Sequence, residues 1–331
     1  MATVTDALCL HILQQEVAFY RSQCWASNTK KTYATHRKCY LSFCSAINVS
    51  PVPATATVLS LYAAYLARRL CYKSVKQYMN IVRILHLEWG LGNPLADNFH
   101  LHTTLQGIRR HKGDITCRKA PITPQLLLLL QNQLNLSTPK DACLWAAALL
   151  MFFGLLRRSN VLPPSRGGFD ADRHLRRCDV SFSSEGTSVR VRWSKTIQFR
   201  ERELLLPLPR ICNHPLCPTT ALFHAFRLSP EAPPQGPALV YPVDGRLAAL
   251  TSIQFVELIK AKLQGHCPVQ DIAGHSFRRG GACWAYSTGV PIDTIRQLGD
   301  WRSNAYTDYT ICDTSMLREA ERVMSLALPA S

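Results

Sequence analysis

The sequence predicts an α+β fold, in which an all-helical N-terminal domain precedes a mostly helical domain with a small antiparallel β-sheet. Three observations support this prediction. Apolar residues recur at helical spacing through the first half, two Thr-Pro pairs at Thr123 and Thr138 begin apolar helices, and the hydrophobic period changes to two near residue 190. With 331 residues, the chain is long enough for two domains.

The helices of the first half are separated by chain breakers. Ser27, Asn28 and Thr29 offer N-cap side chains, so a helix is predicted from there to about residue 47. Pro51 and Pro53 interrupt the chain after it. Further helices are predicted at about residues 55–69, 73–89 and 98–110.

The second half mixes helices with one β-hairpin. The two Thr-Pro starts predict buried helices at about 124–135 and 139–156. Val189, Val191 and Trp193 alternate with basic or polar residues, and residues 203–207 read as the returning strand. Helices are then predicted near 218–227, 251–264, 276–289, 291–299 and 313–327.

These elements divide the chain into four parts. Residues 1–23 are an N-terminal extension, 24–112 a helical domain, 113–122 a polar linker, and 123–331 the second domain with its C-terminal helix. The linker boundary is placed where polar residues end and the apolar helices of the second domain begin.

The charge is strongly basic and unevenly distributed. Lys and Arg number 38 against 22 Asp and Glu, a formal net charge of +16. Residues 24–112 hold twelve Lys or Arg but only Glu88 and Asp97 as acids. This excess indicates a polyanionic partner, most simply double-stranded DNA, although a solvated basic face is the plainer alternative. The predicted DNA-binding residues are Lys30, Lys31, Arg37, Lys38, Lys73, Lys76, Arg83, Arg109 and Arg110.

Several other classes of protein are disfavoured. The first twenty residues lack the pattern of a signal peptide, so the 13 cysteines are expected to be reduced thiols in an intracellular compartment. The longest apolar run, 143–156, is shorter than the roughly 20 residues of a membrane span. Cys212, His214, Cys217 and His224 match no standard zinc spacing, so no metal site is expected.

Four short motifs carry the functional signal. They are Gly-Leu-Leu-Arg-Arg-Ser-Asn at 154–160, Ser-Lys-Thr at 194–196, Gly-His-Ser-Phe-Arg-Arg-Gly-Gly-Ala at 274–282, and Leu-Gly-Asp-Trp-Arg-Ser-Asn-Ala-Tyr-Thr-Asp-Tyr at 298–309. Taken singly, each motif is a weak indication of function. In this order they resemble the active-site motifs of tyrosine recombinases, the phage-integrase family, over residues 24 to about 328. The residues of these motifs are most similar to those in recombinases of DIRS-like and Ngaro-like retrotransposons and of Cryptons.

The resemblance implies a tyrosine recombinase catalytic fold and a reaction that cuts and rejoins DNA. Tyr309 would attack phosphorus, keep the 3′ phosphate as an ester and free a 5′ hydroxyl. Arg157 and Arg278 present planar guanidinium groups suited to the non-bridging oxygens. Lys195, on the hairpin tip, would protonate the departing 5′ oxygen.

His275 and Trp301 complete the predicted site. His275 precedes Arg278 by one helical turn and could donate a hydrogen bond or move the tyrosine proton. Trp301 offers an indole N–H donor and a flat packing surface. The scheme uses neither a metal ion nor ATP, because the phosphotyrosine stores the bond energy; no cofactor is expected. The resemblance further implies mobile-element integration, a dimer on one site, a tetramer in synapsis, and nuclear residence.

Two residues depart from the family pattern, and several alternatives remain open. Asn160 stands where many family members have an acidic residue, and Trp301 replaces the commoner histidine. Tyr306 competes with Tyr309 as the nucleophile, although the motif register favours Tyr309. Neighbouring helical residues point about 100° apart, so only one arginine of each adjacent pair is expected to face the phosphate. The motif register selects Arg157 over Arg158 and Arg278 over Arg279. Alternative functions are a type IB topoisomerase and a domesticated DNA-binding protein that no longer cuts.

Overall fold

The computed structural model describes residues 9–114, 119–303 and 307. It divides the chain into two compact units, residues 1–117 and residues 118–331. Tyr306, Tyr309 and the helix predicted at 313–327 lie outside the described residues, so their predictions stay predictions. The functions assigned to the two predicted domains stay predictions as well.

The first unit is helical throughout its described secondary structure. Its helices are α1 (Leu10–Gln23), α2 (Ser27–Ala46), α3 (Ala56–Ala67), α4 (Tyr72–Glu88) and α5 (Phe99–Lys112). The core between α2, α3 and α4 is built from apolar and aromatic side chains, with Tyr40, Tyr62 and Val75 fully buried. Thr55 and Asn98 cap α3 and α5 by accepting hydrogen bonds from backbone N–H groups in the first turn.

Helix α1 occupies the segment that the sequence indicated only as an extension. None of its residues is buried, and Leu10, Phe19 and Tyr20 are more than half exposed. A helix without a buried face shows no packing signal that could have distinguished it in advance.

The second unit places one helix at the centre of its core. It contains α6 (Pro124–Asn132), α7 (Pro139–Phe153), α8 (Arg158–Val161), α9 (Pro218–Arg227), α10 (Ser252–Leu263), α11 (His275–Ser287) and α12 (Ile292–Leu298). Residues 142–152 of α7 are all buried. Thr123 and Thr138 cap α6 and α7, each accepting a hydrogen bond from a backbone N–H three residues on.

Two antiparallel sheets pack against these helices. The first has the order β1 (Val180–Phe182), β2 (Gly186–Val191) and β3 (Leu204–Pro209), with Val189 opposite Leu206. The second is a hairpin of β4 (Val240–Val243) and β5 (Arg246–Ala249). The predicted hairpin therefore exists as β2 and β3, whereas β1 and the β4–β5 hairpin are additional.

Helix α11 lies against its neighbours at backbone distance. A Cβ atom on Gly280 would lie 1.8 Å from the Ile122 carbonyl oxygen, and one on Gly281 would lie 2.0 Å from that of Phe152. Only glycine permits so close an approach. The two glycines thus seat the helix that carries His275 and Arg278 directly against the end of α7.

Candidate active site

The first arginine motif begins where α7 ends. The helix stops at Phe153, three residues short of the predicted end near 156. Leu155 then adopts a left-handed conformation, with φ of 46°, and is buried. A β-carbon makes this conformation costly, so surrounding contacts must hold it. One such contact is a hydrogen bond from Arg278 Nη1 to the Leu155 carbonyl oxygen.

Arg278 is the most deeply buried of the predicted catalytic residues that are described. Only 2% of the residue is exposed. Besides Leu155, it donates from Nη2 to the carbonyl oxygen of Gly299 at 2.6 Å. These two bonds use two of the five N–H donors of the guanidinium. The group therefore links the end of α7 to the segment after α12, while its charge stays inside the site.

Trp301 covers the guanidinium of Arg278. The Cζ atom of Arg278 lies 4.0 Å from the centroid of the indole ring, which is a cation–π contact. Trp301 is 7% exposed and packs with Leu155, Ala282 and Ile295 in a small apolar cluster. The flat face of this tryptophan thus packs on the arginine side chain.

His275 lies at the centre of a group of positive charges. It is the first residue of α11 and remains accessible to solvent. Burial of part of the ring, followed by the charges of Arg278, Arg157, Arg158 and Lys195, lowers the pKa of its imidazole below the ordinary value. The charges of these four cations thus act on one histidine and favour its neutral form at physiological pH.

Arg157 lies between two helices, after the end of α7 at Phe153 and directly before α8. It is the N-cap residue of α8, has extended backbone angles and is half-buried. The 100° offset between helical neighbours consequently does not separate Arg157 from Arg158, and both act electrostatically on His275.

Arg158 is the basic residue that the sequence reasoning set aside. Its side chain crosses Gly274, where a Cβ atom would lie 2.3 Å from Arg158 Cδ, and its Nη1 donates to Ser252 O at 3.4 Å. The glycine before His275 was the available signal, because it leaves room for an arginine. Arg279, in the other adjacent pair, instead donates to Lys119 O at 2.7 Å.

Lys195 lies on a tight turn between β2 and β3. Ser194 and Ile197 exchange backbone hydrogen bonds of 3.1 Å, which makes Lys195 and Thr196 the central residues of the turn. The lysine side chain is exposed. At the base of the turn, Asn160 donates from Nδ2 to Trp193 O at 2.8 Å. Asn160 is buried, and a carboxylate in its place could not donate this bond.

Asp300 joins the lysine turn to the Trp301 segment. Its Oδ2 accepts from Ser194 Oγ at 3.1 Å and from Thr196 Oγ1, and its Oδ1 accepts from Arg202 Nη2. Burial alone would raise the pKa of this carboxyl, but the hydrogen bonds from Thr196 and Arg202 outweigh it and lower the pKa. Sequence reasoning did not select Asp300, because its partners lie about a hundred residues away.

The basic residues predicted to bind DNA lie on three helices of the first unit. Lys30, Lys31, Arg37 and Lys38 are on α2, Lys73, Lys76 and Arg83 on α4, and Arg109 and Arg110 on α5. Arg37 pairs with Glu88 at 2.5 Å and Arg109 with Asp114 at 3.0 Å. Lys76 and Arg109 both lie over the ring of Tyr72, which brings α4 and α5 charges together.

Side chains of the cysteine-histidine segment form hydrogen bonds with the backbone. Cys217 caps α9, its Sγ accepting from the backbone N–H groups of Ile211 and Thr220 at 3.2 and 3.4 Å. His224 Nε2 lies 2.8 Å from Leu136 O. Among the described residues no group of three or more metal-ligating side chains occurs, and no described helix is long and apolar enough to cross a membrane.

Comparisons with known proteins identify the architecture. Neither a protein-family model nor a curated protein matches the sequence. Among solved structures, the Tn1549 transposon integrase in complex with transposon right end DNA is 13% identical, with 94% of this chain and 98% of that chain covered at a TM-score of 0.58. This is the fold of the tyrosine recombinases.

Two further structures share the tyrosine recombinase fold. The XerH site-specific recombinase bound to palindromic difH substrate is 14% identical, covering 89% of this chain and 79% of that chain at a TM-score of 0.58. A lambda integrase dimer bound to a COC′ core site is 14% identical, covering 91% and 95% at 0.53. At such identities the likeness establishes the fold, and the function depends on the site itself.

Proposed function

We propose that this protein is a site-specific DNA recombinase that cuts and rejoins strands through a 3′-phosphotyrosine intermediate. The observation that carries the proposal is that the charges of Arg157, Arg158, Arg278 and Lys195 all lower the pKa of His275 within a tyrosine recombinase fold. Four cations around an accessible neutral histidine suit one dianion-like transition state, that of phosphoryl transfer.

Each described residue then has a defined task. Arg278, fixed by backbone carbonyls and Trp301, supplies a permanent positive field beneath the phosphate. Arg157 and Arg158 are nearer the surface and hold the non-bridging oxygens. His275, held neutral, is able to accept a proton or donate a hydrogen bond. Lys195, exposed on its turn, gives a proton to the departing 5′ oxygen.

Tyr309 is the proposed nucleophile. Its oxygen bonds to phosphorus as the bond from phosphorus to the 5′ oxygen breaks; the tyrosine loses one proton and the 5′ oxygen gains one. The reverse reaction with a second 5′ hydroxyl rejoins the strands, so protons and bonds balance without a cofactor. The motif register supports Tyr309 over Tyr306.

The biological role belongs to the same proposal. One neighbour of this fold is a transposon integrase solved with transposon end DNA, and another is an integrase dimer on a core site. These likenesses support mobile-element integration by a dimer on each DNA site, and the motif resemblance further implies a tetramer in synapsis. The residues of the motifs support a DIRS-, Ngaro- or Crypton-type element. Because such elements are eukaryotic, they also support nuclear residence.

DNA affinity is proposed to come mainly from phosphate contacts of the first unit. Lys30, Lys31, Lys38, Lys73, Lys76 and Arg110 are exposed and supply most of this charge. Arg37 and Arg109 are already paired with acids and contribute less. Neutralising phosphates releases counterions, so affinity should fall steeply as salt concentration rises.

Covalent trapping tests the proposal. Nicked duplexes, selected from a randomised pool by binding to the wild type, lose a short 5′ fragment on cleavage and leave the protein attached to DNA. We expect a denaturation-resistant protein–DNA band for the wild type and Tyr306→Phe, and none for Tyr309→Phe. Loss in Tyr306→Phe alone would keep the reaction class but move the nucleophile.

Two results would favour the alternatives. Tight binding without any covalent band would indicate a DNA-binding protein that no longer cuts. Relaxation of supercoiled DNA by a monomer at arbitrary sequences would indicate a type IB topoisomerase. Pairing and exchange between two selected sites would support the recombinase.

A further inference from the structure

One carboxylate connects the two halves of the candidate active site. Asp300 receives hydrogen bonds from Ser194 Oγ at 3.1 Å and from Thr196 Oγ1, the residues immediately before and after Lys195. Its side chain is only 10% exposed. The turn that carries Lys195 is therefore attached to the same carboxylate on both sides of the lysine.

The backbone of Asp300 is fixed on the opposite side. The residue has a φ of 52°, and it lies between Gly299 and Trp301. Gly299 accepts from Arg278 Nη2 at 2.6 Å, and Trp301 stacks on the same guanidinium at 4.0 Å. The carboxylate therefore extends from the segment that encloses Arg278 to the turn that carries Lys195.

Arg202 completes this arrangement from the other end of the β2–β3 connection. It pairs with Asp300 Oδ1, whereas Ser194 and Thr196 use Oδ2. Both oxygens are thus occupied, and the connection is held near its beginning and near its end. A carboxylate so engaged orients its neighbours and has little basicity left for proton transfer.

We infer that Asp300 is a positioning residue, which holds the Lys195 turn against the Arg278–Trp301 segment so that Lys195 can protonate the departing 5′ oxygen. This inference rests on the proposed function, in which Lys195 is the general acid. Without the attachment, the exposed lysine would sample many positions, and a displacement of about 1 Å can cost on the order of 100-fold in rate.

A change of leaving group provides the test. In duplexes whose scissile 5′ oxygen is replaced by sulfur, the departing thiolate needs no proton, since thiols have a pKa of about 8.5. Single-turnover rates of covalent adduct formation would be measured on matched oxygen and sulfur duplexes. The proteins are the wild type, Lys195→Ala, Asp300→Asn, Thr196→Val, Ser194→Ala and Asp172→Asn.

We expect Asp300→Asn to lose about 100-fold on the oxygen duplex and to regain nearly the wild-type rate on the sulfur duplex, as Lys195→Ala does. Thr196→Val and Ser194→Ala should show the same pattern with smaller losses. Both variants keep the ion pair between Arg202 and Asp300, so they provide the test if Asp300→Asn fails to fold. Asp172→Asn is the control. Asp172 forms an exposed ion pair at 2.9 Å with Arg200, which lies on the β2–β3 connection.

Two results would overturn the inference. A loss of equal size on both duplexes would mean that Asp300 supports the fold or the phosphate site rather than the lysine. An unchanged rate on the oxygen duplex for all three turn variants would mean that Lys195 needs no such attachment. Absence of any adduct from the wild type on either duplex would instead refute the proposed function, and the inference with it.

Discussion

Arg278 and Lys195 are the two extremes of the candidate active site. Arg278 is 2% exposed, donates to two backbone carbonyls and lies under an indole ring. Lys195 is exposed on a tight turn whose side-chain attachments belong to its neighbours. The guanidinium group of Arg278 is fixed in the core, whereas the ammonium group of Lys195, which must give up a proton, is at the surface.

The difference follows from what each group has to do. A buried guanidinium keeps its proton and needs no movement, so rigid enclosure costs it nothing in function. An ammonium that gives a proton to DNA must reach the leaving oxygen and be reprotonated afterwards. Mutations should therefore separate the two, with stability effects at Arg278 and purely kinetic effects at Lys195.

The largest effect is expected from Arg278→Lys. Lysine keeps the charge but cannot serve both the Leu155 and Gly299 carbonyls with one planar group. Cleavage should fall by about 10³-fold, and the free energy of unfolding by about 1–3 kcal/mol as one buried carbonyl loses its donor. Adduct formation and urea unfolding measure these changes. Arg279→Lys is the control. If Arg278→Lys cleaved DNA at the wild-type rate, the guanidinium would not have the role proposed for it.

The next effect sharpens the contrast, because it should leave stability unchanged. Lys195→Arg keeps a positive charge on the turn, but a guanidinium is a poor proton donor. We expect cleavage to fall by about 100-fold at unchanged DNA affinity and unfolding midpoint. Lys140→Ala, at an exposed lysine of α7, serves for comparison. A fall in the unfolding midpoint would contradict the view that the turn is a surface element.

A smaller effect is expected at the base of the turn. Asn160→Asp replaces the donor to Trp193 O by a buried carboxylate oxygen that faces a carbonyl. The free energy of unfolding should fall by about 1–3 kcal/mol, as read from urea denaturation. Asn213→Asp, at an exposed residue with φ of 53°, should be nearly neutral. If Asn160→Asp were stabilising, the amide would not be the group this turn requires.

The smallest effect concerns the histidine between the two extremes. The pKa of His275 is lowered in the folded chain, so the unfolded chain takes up the proton first as pH falls below about 6.5. Stability present at pH 7.5 should therefore be partly lost at pH 5.5, and this loss should be smaller in His275→Gln. Urea midpoints at the two pH values measure this difference; equal losses would show that neither burial nor the four cations lowers the pKa of this ring.

Local signals predicted much of the fold. Thr123 and Thr138, each followed by proline, marked the starts of α6 and α7 correctly because a cap is decided within four residues. The β4–β5 hairpin was missed although Asp244-Gly245 is a turn signal, since its strands have only four residues each and one contains Pro242. The predicted end of α7 was wrong because apolar residues continue past Phe153 into the left-handed Leu155.

The site was predictable as a set of residue types, but its connections were not. Ordered motifs selected His275, Arg278 and Lys195, and the charges of the arginine and the lysine both lower the pKa of the histidine. The bond from Ser194 to Asp300 spans 106 residues of sequence, so no local pattern reveals it. Arg158 was set aside because the helical offset admits one arginine of the pair and the motif register selects Arg157, whereas Arg157 lies before the helix.

The two glycines of α11 also limit how this sequence can change. At positions 280 and 281 the obstacles to a side chain are carbonyl oxygens of Ile122 and Phe152, and backbone atoms cannot move aside as a flexible side chain can. In a library that samples every amino acid at each position, even alanine should be lost at both sites. The exposed residues of the same helix should accept many replacements, so the tolerance of α11 would change sharply from one face to the other.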